Sequence, residues 1–303
     1  VSIGENGAMS ATAVPVRRRV LVRGELVHDL TLLAGQDEGF RLVLPQALPT
    51  LVLRGGSAER VDLLTGDRRP MASVLCGPST RPWAVRDGRP VLVLRLRPEA
   101  LDRLGVADRR PLVDGMVPLD EVGLASLLDL LPVVVSETPE SAELPGRTAR
   151  GGEVGAGSRI PADGTAWVAQ GAAIDAALVG LAGPSTPDTR LLRSRLAAAV
   201  GMILAERGWV TTVEVARAAQ LPPFELFRIV DAALGTGPEQ LAAAQRWRCA
   251  VRDAVPADAS PARVLSALRD LADLPRAELE RLGTDPGALA VVLRTAAGLL
   301  GLG

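Results

Sequence analysis

The sequence predicts an α+β chain, a small β-sandwich or barrel followed by an all-α domain. Three observations carry this reading. Between 16 and 98, short Val/Leu-rich runs recur about every ten residues, each bounded by Gly, Pro or Asp turn signals. From Ala166 onward, apolar residues recur at the helical period instead, with Pro ahead of most runs and Gly behind several. Between the two, Ser136 to Gly164 is rich in Gly, Pro, Ser, Glu and Arg and nearly free of large apolar residues, which predicts a disordered linker. The domains therefore read as 1–135, a linker over 136–165, and 166–303.

In the first part, the strand-like runs are Arg41–Pro45, Thr50–Arg54, Ala72–Cys76 and Val91–Arg97. The last begins as continuous Val/Leu and ends with Arg95 and Arg97, so one of its faces is expected to be polar. Pro98 precedes a short helix over 99–106 that Gly105 ends, and 119–131 reads as another helix. In the second part, Leu192, Leu196, Val200 and Ile203 form one apolar helical stripe, which Gly208 closes. Thr211-Thr212 caps a helix over 213–220. Pro222-Pro223 opens 223–234, which Gly235 closes. Further helices run from Gly237-Pro238 to about Val255, from Ser260-Pro261 to about Ala272, over 276–282, and over 287–301.

Composition excludes several classes. The 303 residues suit two domains, and 48% are apolar, enough for real cores. Aromatic residues are only 2%, so those cores must be aliphatic. All 34 basic residues are Arg against 35 acidic ones, a net charge of −1, and the absence of Lys reads as codon bias of a GC-rich genome. A single His, His28, excludes a His-rich metal site and leaves little room for a His-dependent triad. Cys76 and Cys249 are too few and too distant for a zinc cluster or disulfide framework, and they fit a reducing cytosol. Both read as small core fillers, and His28 as an ordinary strand or loop residue. Asp114, Asp120 and Glu121 read as helix caps, and Trp167, Trp209 and Trp247 as anchors of the helical domain. No phosphate loop or nucleophile motif is present, so the chain reads as a non-enzyme without cofactors. Val1–Val20 has no apolar run ahead of Arg17-Arg18-Arg19 and predicts no signal peptide. The apolar stretches 166–182 and 287–303 are interrupted by Asp175 and Arg294. They read as buried helices rather than membrane spans, so a cytoplasmic protein is expected.

The most informative segment is about 211–235. A short helix, a tight break and a longer helix outline a helix-turn-helix, with Val213, Ala216, Leu221, Leu226 and Ile229 as its shared core. Its wording, with that of the helix after it, resembles the first helix-turn-helix and connecting helix of AraC-family transcription regulators. The matched features are Ala216 in the first helix, the Pro222-Pro223 opening, and Leu226 and Arg228. The Gly235–Pro238 turn follows, with Gly237 in the place of Ser, and then Arg246 and Ala250 in the connecting helix. The N-terminal part is similar to one variety of that family's sensor domains, at Leu44-Pro-Gln-Ala-Leu-Pro-Thr-Leu51, Gly77-Pro-Ser-Thr80, Arg95-Leu-Arg-Pro98 and Val117-Pro-Leu119. The resemblance implies a cupin-like domain that senses a small-molecule effector or forms a homodimer. With one His, it is not a metal-binding cupin.

A second helix-turn-helix, at about 260–286, departs from the family pattern. It lacks the Gly-aromatic pair and keeps only the closing Gly283 and Pro286. The resemblance implies that double-stranded DNA is the partner. Phe224, Glu225, Phe227 and Arg228 would stand near the bases or support the reading helix, and Asp231 would share its outer face. Thr211, Thr212, Arg217, Arg246 and Arg248 would meet phosphate. Charge gives this little support, because 187–303 holds fourteen Arg against thirteen Asp and Glu, and phosphate contacts supply most non-specific affinity. The alternative is a protein-interaction or small-molecule-binding module that kept the architecture and lost DNA binding, with Phe224 and Phe227 as its contact surface.

Overall fold

The computed structural model describes residues 17–21, 24–33, 39–86, 88, 91–130, 164–183, 187–256 and 259–302. Most of the expected linker, 136–163, lies outside them. Among the described residues, ten strands form two antiparallel sheets. The larger contains β1 (Arg17–Leu21), β2 (Val27–Leu33), β9 (Val91–Leu96), β4 (Thr50–Arg54), β7 (Val74–Cys76) and β10 (Met116–Pro118), in that spatial order. The smaller contains β3 (Phe40–Val43), β8 (Trp83–Arg86), β5 (Ala58–Asp62) and β6 (Arg68–Met71).

The continuous Val/Leu runs belong to strands covered on both faces, which is why they show no alternation. All five residues of β4 are buried. Towards the smaller sheet, Val52, Val74, Cys76 and Val91 meet Met71, Trp83 and Val85. On the opposite face, Leu51, Leu53, Leu92, Leu94 and Leu96 are covered by α1 (Ala100–Arg103), by two short 3-10 turns and by α2 (Gly164–Leu181).

The polar face expected at Arg95 points inward. Arg95 Nε donates to Asp29 Oδ1 at 2.9 Å and Nη2 donates to Oδ2, with Asp29 fully buried. A buried pair of this kind survives because the bidentate fork satisfies both partners. His28 lies in β2, with Nδ1 3.0 Å from Asp29 Oδ2. Cys76 is buried, and desolvation pushes its thiol up to about 11, so it is an inert filler.

The helices follow as α3 (Pro187–Ala205), α4 (Thr212–Ala218), α5 (Pro223–Leu234), α6 (Pro238–Ala254), α7 (Pro261–Ala272), α8 (Arg276–Leu282) and α9 (Pro286–Leu299). Local signals set their ends. Thr211 and Ser260 cap α4 and α7, and Gly235 and Gly283 close α5 and α8 in the left-handed conformation.

Several expectations are corrected. No regular helix spans 119–131. Gly123 turns left-handed, Leu124 N returns to Leu119 O at 2.7 Å, and only a 3-10 turn over Ala125–Leu130 follows. Asp114 caps no helix. Its carboxylate accepts from Thr80 N, Thr80 Oγ1 and Arg81 N and pins the 78–81 loop. Helix α2, grouped by sequence with the helical half, packs Ile174 and Leu178 into the β core. Asp175, read from sequence only as an interruption of an apolar stretch, accepts the amides of Glu25, Leu26 and Val27, each at 2.7 Å. Gly24 is required there, because a Cβ would lie 2.5 Å from the Asp175 carboxyl carbon. Leu196, Val200 and Ile203 are buried, but Leu192 is 45% exposed, and beside it Arg193 pairs with Asp102 of the β domain at 3.3 Å.

The two halves are packed together. Phe40, Val61 and Ala84 of the smaller sheet's outer face meet Leu265 of α7 and Val292, Ala296 and Ala297 of α9. Ala47 and Leu48 join the core of α3, α4 and α5. No helix among the described residues is long and apolar enough to cross a membrane. No group of three or more His, Cys, Asp or Glu among them could hold a metal ion.

Candidate nucleic-acid interface

Helices α4 and α5 form the expected pair. Val215, Ala216, Ala219, Leu221, Leu226 and Val230 are buried in one core with α3 and α6, and Ile229 packs against it. Val213, expected in that core, is 55% exposed, because the buried face of α4 runs through Val215, Ala216 and Ala219 instead. The break between the helices is tight because Gln220 takes a φ of 54° and Leu221 N bonds Ala216 O at 2.9 Å.

The two ends of α5 have different surroundings. At its C-terminal end, Arg109 of the β domain donates from Nη1 to Ala232 O, and Arg110 lies 3.5 Å from Asp231. Cations at this end also oppose the helix dipole favourably. Gly235 lets the chains approach, since a Cβ there would lie 2.7 Å from Arg109 O. Asp231, expected on the outer face, is thus half-buried and paired. At the N-terminal end, Phe224 is 79% and Phe227 50% exposed, Arg228 is exposed and Glu225 is half-buried. Phe227 lies beside the following turn. A Cβ on Gly237 would sit 2.8 Å from its ring, which accounts physically for Gly in the place of Ser.

The expected phosphate contacts divide. Arg217 is exposed at the end of α4. Thr211, Thr212 and Arg248 are engaged elsewhere, and Arg246 is engaged in part. Thr211 forms a reciprocal cap with Glu214: the Thr211 hydroxyl accepts from Glu214 N, and Thr211 N donates to Glu214 Oε2 at 2.8 Å. The bond from the Thr211 amide first, and second the one from its hydroxyl, which donates to Glu214 Oε2 at 2.9 Å, hold the Glu214 carboxyl below its ordinary pKa. Thr212 Oγ1 donates to Glu239 at 3.0 Å. Both hydroxyls therefore face carboxylates, which repel phosphate. Arg248 is buried against the β domain, where Nη1 donates to Pro45 O at 3.2 Å, so it is removed from the outer surface. Arg246 is half-buried. Its Nη1 donates to Gly208 O at 2.7 Å, and desolvation pulls its pKa below the ordinary arginine value.

Sequence reasoning missed one feature. Trp209, expected as a core anchor, is 53% exposed, and Trp247 is the buried one. The guanidinium carbons of Arg246 and Arg281 lie over the Trp209 ring, 5.5 and 5.8 Å from its centroid. Next to it a groove of about 380 Å³ opens between the starts of α4 and α6, lined by Val210, Thr211, Thr212, Pro238, Glu239 and Arg246 among others. No sequence signal joins Trp209 to Arg281, because 72 positions separate them and only the packing of α8 on α6 brings them together.

No family model matches this sequence, and no curated protein matches it. Among solved structures, the chain is similar to ToxT from Vibrio cholerae O395, at 8% identity over 88% of this chain and 93% of that one, with a TM-score of 0.35. A ToxT structure bound to (E)-4-(8-methylnaphthalen-1-yl)but-3-enoic acid gives 9% identity over 90% and 98%, with a TM-score of 0.30. The AraC-like transcriptional activator CuxR gives 12% identity over 80% and 82%, with a TM-score of 0.29.

Proposed function

We propose that this chain is a double-stranded DNA-binding transcription regulator of AraC type, cytoplasmic and homodimeric, with α5 as its reading helix. The observation that carries this reading is the division of α5 described above. One end is held by the β domain, and the other presents Phe224, Phe227 and Arg228 to solvent from a rigid helix pair. In a docked helix-turn-helix, the N-terminal part of the second helix meets the base edges while the first crosses the backbone. Phe224 and Phe227 suit thymine methyl groups, Arg228 suits guanine or phosphate, and Arg217 suits phosphate. The work is binding without chemistry. An effector or second protomer acting on the β domain would change how Arg109 and Arg110 hold α5, and so the angle of its free end.

Titration of a duplex from the gene's own upstream region, at several salt concentrations, tests this. Affinity that falls steeply with salt is expected. No binding at about 50 mM salt overturns the reading. The exposure of Phe224 favours a second reading, a protein-interaction module, since a solvated aromatic on a rigid helix suits an apolar partner pocket. That reading requires Phe224→Ala to abolish capture of a partner protein while DNA binding is absent.

A further inference from the structure

We propose that Trp209, Arg246 and Arg281 form a clamp for the phosphate backbone of duplex DNA, separate from the reading helix. The inference rests on the DNA-binding reading and adds a site to it. Three separate elements build it: the α3–α4 loop, α6 and α8. The loop cannot retreat. Arg207 and Gly208 turn through φ of 56° and 82°, and Trp209 N bonds Glu206 O at 2.9 Å. Gly208 lies so close to α6 that a Cβ would sit 2.2 Å from Ala242 O. The ring is therefore held half in solvent by its backbone. Arg246 reaches it from α6 while bonding Gly208 O, and Arg281 reaches it from the last turn of α8.

The charge balance at this point is uneven. Among the described residues, no carboxylate pairs with Arg246 or Arg281, although other surface arginines nearby are paired, Arg276 with Glu280 and Arg207 with Asp253. Two cations converging on one ring repel each other, and the ring's negative face offsets that only in part. A phosphate chain running past both guanidinium groups offsets that repulsion. Glu239 lies across the neighbouring groove, near Thr212, so the attractive end is the Trp209 end. The clamp stands two residues before the Thr211 cap of α4, the helix expected to cross the backbone when α5 enters the groove. It thus supplies positive charge that Thr211, Thr212 and Arg248 do not. An acidic protein segment is the competing occupant. It is disfavoured because the clamp adjoins the cap of α4, the helix expected to cross the DNA backbone.

The test uses the full chain and a 20-base-pair duplex, read by anisotropy between about 50 and 200 mM salt, with Arg281→Gln, Trp209→Ala and Arg276→Gln compared. For one phosphate contact, Arg281→Gln should lower the salt slope by about one unit, so that the loss of affinity over this range shrinks by about threefold. Trp209→Ala should weaken binding at every salt concentration, and Arg276→Gln should match the parent. Should Trp209→Ala unfold the loop, Arg281→Gln at the exposed end of α8 carries the test, and Arg281→Lys should restore the slope. Wild-type and Arg281→Gln slopes that agree overturn the clamp and leave the DNA-binding reading intact. No binding by the wild type overturns both. A poly-glutamate peptide that loses binding on Arg281→Gln, while duplex binding does not change, assigns the site to an acidic protein and overturns the clamp.

Discussion

Two helix pairs of the second half, α4–α5 and α7–α8, mirror each other in length and differ in use. The first runs seven and then twelve residues, the second twelve and then seven. At 1.5 Å per residue, α5 is about 18 Å long and α8 about 10 Å, so only α5 has the length to lie along a major groove. Their outer faces differ in the same direction. The free end of α5 carries Phe224, Phe227 and Arg228, whereas Arg276 and Glu280 of α8 pair with each other at 2.8 Å and Glu278 adds an acid. The second pair is instead a packing element, with Leu265 of α7 against the smaller sheet and Leu279 of α8 in a core with Trp247. Burial demands alone are enough to hold this second pair in place.

The sharpest way to break this comparison is to empty both cores. Leu226→Ala and Leu279→Ala each remove a buried side chain, and each should cost about 2–5 kcal/mol by chemical denaturation. Only Leu226→Ala should abolish DNA binding beyond what the lost stability explains. A change at the turn comes next. Gly237→Ser places a Cβ against the Phe227 ring and should cost about 1–3 kcal/mol, and adding Phe227→Ala should recover most of it in a double-mutant cycle. Phe224→Ala should move stability by less than about 0.5 kcal/mol, yet weaken binding to the preferred duplex about tenfold, while Glu278→Ala on α8 should do neither.

The smallest effect concerns the cap. Thr211→Ala should cost about 1 kcal/mol, seen as a lower thermal midpoint. Because the Glu214 carboxyl is held below its ordinary pKa, its contribution is present above that value, near 4.3, and is lost as pH falls through the lower folded one. A thermal midpoint measured between about pH 5 and 3 should therefore fall less in Glu214→Gln than in the parent.

Much of the second half was legible because its signals are local. Pro222-Pro223, Gly235, Ser260-Pro261 and Gly283 mark helix ends within one or two residues, and each end depends only on neighbouring backbone. The strands β2, β5, β6 and β8 were not legible. Ala58-Glu-Arg-Val-Asp62 is polar in sequence and becomes a strand because β6 and β8 flank it. The candidate site divides in the same way. The exposed faces of Phe224 and Phe227 follow from the helical period around Leu226 and Val230. The burial of Arg248 and the exposure of Trp209 do not, since each depends on a surface that another element brings up.

The sequence by itself determined that the chain is β-rich and then helical, where the later helices begin and end, and that one pair outlines a helix-turn-helix. Those properties depend on residues within a few positions of each other, where capping, backbone preference and periodicity act. Only the tertiary structure decided that α2 belongs to the β core through Asp175, that the β domain holds one end of α5, and that Arg246 and Arg281 meet on Trp209. Each of these is a contact between residues from 37 to 150 positions apart. Burial and charge pairing at that range are set by how whole elements pack, which no local pattern encodes.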